Sequence, residues 1–78
     1  MQIEEDELSR PETLLAAVIY LMTHYPRTRC PRIACCISRH LQCLALHPGA
    51  APVVRDMCAA LVGFWSSEAD AFRQALVH

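Results

Sequence analysis

Residues 30–49 read CPRIACCISRHLQCLALHPG, and the reading of this stretch decides the fold. Ile33, Ile37, Leu41 and Leu44 recur at steps of three and four, the spacing that places side chains on one face of an α-helix. Ser38, Arg39 and Gln42 fall on the opposite side, so the expected helix is amphipathic. Pro31 stands where a first helical residue needs no amide hydrogen. His47-Pro48-Gly49 supplies the stop.

The same punctuation brackets the rest of the chain. Ser9-Arg10-Pro11-Glu12 has the form of a capping box, in which the Ser9 hydroxyl and the Glu12 carboxylate satisfy each other's backbone amides. A first helix follows, with Leu14, Leu15, Val18, Ile19, Leu21, Met22 and Tyr25 on a broad apolar face. Pro26 is expected to end it at or before Tyr25. Pro52 opens a third helix, with Val54, Met57, Leu61 and Trp65 in its stripe and Arg55, Asp56 and Gly63 on the other face. Ser66-Ser67, followed by Glu68 and Asp70, predicts a short fourth helix carrying Phe72 and Leu76, or an extension of the third.

No run alternates like a strand, and neither Asn-Gly nor Asp-Gly occurs. The connections near Pro26–Arg29 and Pro48–Ala51 are short, which favours antiparallel neighbours. The expected fold is all-α: a small antiparallel helical bundle of three main helices plus a short C-terminal fourth. Its core should hold Leu14, Val18, Leu21, Ile33, Ile37, Leu44, Met57, Leu61 and Trp65. Residues 9–78 form the single domain, and residues 1–8 form a flexible acidic arm.

Composition narrows the class. Seventy-eight residues suffice for one core, and a hydrophobic content of 54% excludes a disordered chain. Ordering costs of about 1.5 kcal/mol per residue nearly cancel the burial available to so small a domain, so a partner or second copy would help. The opening MQIEEDE lacks the basic region of an export signal, and the apolar stretch Leu14–Met22 is too short to span a membrane. A soluble cytoplasmic protein is expected. Five cysteines, an odd number without an export signal, point to reduced thiols. With seven arginines and no lysine, Schiff-base chemistry is excluded.

Three groups of residues bear on chemistry. Cys36, His40, Cys43 and His47 lie at i, i+4, i+7 and i+11, so they share one stripe of the second helix. Thiolate and imidazole suit zinc, yet four ligands in one line cannot surround a tetrahedral ion. Cys58 or His24 would have to join them, and the simpler reading makes the cysteines small hydrophobes at the edge of the stripe. Cys30, at a helix N-terminus beside Arg29 and Arg32, is the candidate redox thiol. Arg27, Arg29 and Arg32 form a candidate contact for an anion or an acidic partner.

The charges are also polarised. Residues 1–26 carry five acids and one arginine, whereas residues 27–55 carry five arginines and no acid. A net charge of −1 and a single Arg55 on the would-be recognition helix argue against nucleic acid. No nucleophile elbow, phosphate loop or carboxylate pair occurs, so no enzyme is expected. Val53 and Phe64 lie off the centre of the third helix's stripe, and the first helix's apolar face is wider than one neighbour covers. Apolar surface left over in this way marks a contact site. The expected function is therefore a non-enzymatic protein–protein interaction module, forming a homodimer and needing no cofactor. The alternative is a thiol- or zinc-responsive regulator using Cys36, His40, Cys43, His47 and Cys58.

Overall fold

The computed structural model describes residues 10–77, except for the side chains of residues 72, 73 and 75–77. The expected acidic arm, Ser9 and His78 lie outside the described residues, as do the side chains of Phe72 and Leu76. Three helices make up the described chain: α1 (Pro11–Thr28), α2 (Pro31–Ala45) and α3 (Pro52–Val77). There is no strand among the described residues.

Every helix opens on a proline, whose ring holds φ near the helical value and gives up only an amide that the first turn leaves without a partner. Neither Arg10 before α1 nor Cys30 before α2 makes a side-chain capping bond. The helix starts at Pro31 and Pro52 are as the sequence predicts.

One helix end differs from expectation. α1 does not stop before Pro26 but continues to Thr28. Pro26 lies in the last turn, so its ring forfeits only the bond to the Met22 carbonyl. The buried Tyr25 beside it meanwhile anchors the turn. The helix terminates at Arg29, which takes the left-handed conformation (φ 52°) and donates its amide to the Tyr25 carbonyl at 2.7 Å. No glycine advertises this cap. α3 runs unbroken through Ser66-Ser67, so the C-terminal segment takes the second of the two forms that the sequence offers, an extension of the third helix.

Gly49 plays a different part from the one its position suggests, since no glycine has positive φ. Its amide donates to His47 Nδ1 at 2.9 Å, and a Cβ there would come within 3.1 Å of the His47 ring. Close approach, not handedness, is what disfavours a larger residue here.

α2 is the middle element. Ala34, Ile37 and Leu44 are fully buried and Leu41 is nearly so; Val18 and Tyr25 of α1 and Cys58 and Ala69 of α3 close over them. Pro11 lies beside Gly49, Ser38 beside Ser66, and Tyr25 beside Trp65, so the chain runs up, down and up. Among the described residues, no Cα atom of α1 comes within 8 Å of one of α3. The two outer helices therefore rest on α2 and meet only through long side chains.

Of the expected core, Val18, Ile37 and Leu44 are buried, while Leu14, Leu21, Ile33, Leu61 and Trp65 pack at its margin. Met57 does not belong to it, being 59% exposed. The buried stripe of α3 runs through Cys58 and Ala69, about 100° round the helix from Met57. Ser38 is likewise not on an outer face: it is buried, and its hydroxyl hydrogen-bonds to that of Ser66 at 2.7 Å. A small hydroxyl satisfied by another fits where α2 and α3 pack closely.

Candidate functional site

Each outer helix carries more apolar surface than α2 can cover. On α1, Val18 and Tyr25 point into the core, and Leu15, Ile19 and Met22 lie next to them around the helix. On α3, Cys58 is buried while Val53, Val54, Met57 and Leu61 line the adjoining surface. The helices stand apart at this level, so these two rows form the walls of an open groove with Val18, Leu41 and Cys58 at its base. Its volume is about 340 Å³. Ile19 is 57% exposed and Val53 68%, so the rims are apolar side chains facing solvent.

Beyond Met22, Tyr25 bridges the gap. Its ring meets Trp65 edge-on, with centroids 5.2 Å apart, and its hydroxyl donates to Glu68 Oε1 at 2.8 Å. The Arg29 guanidinium lies 5.9 Å from the Tyr25 ring centroid and 3.9 Å from Glu68. Burial, reinforced by the Glu68 hydrogen bond, raises the phenol pKa above its ordinary value, and Arg29 opposes this more weakly. Burial alone raises the Cys58 thiol.

A second pattern lies along α3. Val53, Met57, Ala60, Phe64, Ser67 and Ala71 are all exposed and follow each other at alternating steps of four and three. That is the heptad spacing by which one helix seats against another.

The cysteine-histidine stripe looks outward. Cys36 and Cys43 are exposed, and all five cysteines are free thiols. His40 Nδ1 donates to its own helix's Cys36 carbonyl at 2.7 Å. His47 Nδ1 accepts the Gly49 amide, a role that it would forfeit on taking up a metal through Nε2. Cys58 is in the core, and among the described residues no group of three or more His, Cys, Asp or Glu could hold a metal ion. His24 instead stacks edge-on with Tyr20.

Cys30 caps α2 with its carbonyl, which accepts the Ile33 and Ala34 amides. Arg27, Arg29 and Arg32 are all exposed at the α1–α2 corner, but Arg29 is engaged with Tyr25 and Glu68. Beside α2 and α3, a polar recess of about 250 Å³ includes Cys35, Ser38, Arg39, Ser66 and Asp70, and its two hydroxyls bond to each other.

No helix among the described residues is long and apolar enough to cross a membrane. Comparison with known protein families, with curated proteins and with solved structures finds no match. Sequence reasoning had singled out Val53, Phe64 and the broad face of the first helix. It missed the pairing of Ile19 with Met57 across a groove, because no residue pattern announces that two helices stand apart.

Proposed function

We propose that this protein is a non-enzymatic helical interaction module that associates through the groove between α1 and α3, with a second copy of itself as partner. The observation that carries this reading is the groove itself: an open apolar channel of about 340 Å³ whose rim residues Ile19, Val53 and Met57 are each more than half exposed. A soluble chain keeps contiguous apolar surface exposed at a cost, and the usual use of such surface is recognition. Two-fold pairing is the commonest way to cover it. The cytoplasm is the proposed compartment, and neither a cofactor nor nucleic acid has a part.

Sedimentation velocity over a concentration series tests the proposal. The wild type should shift from monomer to dimer in the micromolar range, and Met57→Glu or Ile19→Glu should hold it monomeric with an unchanged helical spectrum. A wild type that stays monomeric at high micromolar concentration would overturn self-association.

A further inference from the structure

We infer that two copies pair face to face through α1 and α3 about a two-fold axis perpendicular to the helices, so that α1 lies antiparallel on the partner's α1 and α3 on the partner's α3. The inference rests on the self-association proposed above and goes on to fix its geometry.

The first support is the self-complementarity of the α3 seam. Reversing the stretch Val53–Phe64 about its midpoint brings Met57 opposite the partner's Ala60 and Val53 opposite the partner's Phe64, large against small at each position. All four residues are exposed. α1 shares the same centre. Leu15 and Val54 adjoin at one end of the groove, and Tyr25 meets Trp65 and Glu68 beyond the other. The level of Ile19 is therefore that of the middle of the α3 seam, and one axis serves both helices.

Area is the second support. From the exposed fractions of Leu15, Ile19, Val53, Met57 and Phe64, about 500 Å² of apolar side chain is available per copy. If both copies cover all of it, they bury about 1,000 Å², the lower bound for a specific interface.

Charge is satisfied in the antiparallel arrangement, one of the two that symmetry allows. α1 carries Glu12 in its first turn and Arg27 in its last, both exposed. They are about 22 Å apart at 1.5 Å per residue, too far to meet within one chain. Antiparallel pairing places Glu12 within a turn of the partner's Arg27, and does so twice. Parallel pairing instead sets α1 on the partner's α3, which breaks the match of the α3 seam with itself; there Glu12 approaches the partner's Asp56, while Arg27 lies near the level of the partner's Glu68 and the partner's Asp70.

Equilibrium sedimentation of the full chain tests this with Glu12→Arg, Arg27→Glu and the double swap at low salt. Each single swap should raise the dimer Kd roughly tenfold, and the double swap should return it to about the wild-type value. Because the two residues cannot meet within one copy, such recovery requires contact between copies. The wild-type dimer itself should weaken as salt rises. A dimer indifferent to both swaps, a double swap no better than the singles, or strengthening with salt overturns the antiparallel mode and leaves self-association standing. A wild type that never dimerises overturns both.

Discussion

Replacing Tyr25 by Phe removes one oxygen, and with it a hydrogen bond that bridges α1 and α3. The ring stays against Trp65, so the edge-on contact and most of the buried area survive. What is lost is a 2.8 Å hydrogen bond to a carboxylate, worth about 1.5–3 kcal/mol when well formed. Two effects reduce this. The Glu68 side chain is 33% exposed and can be rehydrated, and the phenylalanine no longer carries a hydroxyl that folding must desolvate.

A net loss of about 1 kcal/mol remains, and the melting temperature of a domain this size should fall by about 4–8 °C. Urea denaturation followed by circular dichroism and by Trp65 fluorescence would measure it. The pH dependence gives an independent check. The fold holds the phenol protonated, with its pKa raised by burial and by Glu68. Tyr25 therefore contributes its full stability below the unfolded value near 10 and loses it as pH rises above that. The gap between wild type and Tyr25→Phe should close above pH 10. Cys58 titrates in both proteins and cancels from the comparison. A Tyr25→Phe variant within 0.3 kcal/mol of wild type at pH 7, or a gap unaltered by alkali, would refute the reasoning.

Ile37→Ala, at a fully buried position, should cost about 2–5 kcal/mol in urea titration, a large share of the total stability of so small a domain. Ser38→Ala should cost about 1 kcal/mol by leaving Ser66 without its partner, and Ser38→Ala/Ser66→Ala should cost less than the single change; equal costs would show that the hydroxyl pair is incidental. Arg29→Gly should be stabilising by about 0.5 kcal/mol, because relief of a left-handed arginine outweighs an exposed 3.9 Å ion pair; a net loss in thermal denaturation would mean that the Arg29–Tyr25–Glu68 cluster is worth more than its geometry suggests. Thiol labelling followed by mass spectrometry should mark Cys36 and Cys43 at once and Cys58 only on unfolding, since it is both buried and held in its thiol form; early labelling of Cys58 would show that the groove opens to its base.

Much of the fold is legible in the sequence because the signals are local. Prolines mark the helix starts at residues 31 and 52, and the Ile37-Leu41-Leu44 periodicity identifies the face of α2 that becomes the core. Errors arise where local signals compete with tertiary ones. Pro26 carries a breaker's chemistry, but a breaker in the final turn removes little, and the packing of Tyr25 outweighs it. Met57 fits a three-four stripe as well as Cys58 does. Which stripe is buried depends on how α3 rolls against α2, and that is set by contacts such as Ser38 with Ser66.

The site was half legible for the same reason. An excess of apolar residues on α1 and the off-centre Val53 and Phe64 are countable from residue types, so leftover surface could be anticipated. That the surplus forms two facing rows could not, since it depends on the separation of helices joined through a third. The cysteine-histidine stripe shows the converse: perfect spacing on one helix creates a line, and a ligand set needs convergence from several directions. Phe64 is informative here. It touches Trp65 edge-on, yet remains 58% exposed, so its own fold uses it only in part. The same side chain falls on the heptad seam with Met57 and Ala60. An aromatic residue left half outside on a regular seam supports the proposed binding face on α1 and α3, away from the polar stripe that first draws attention on α2.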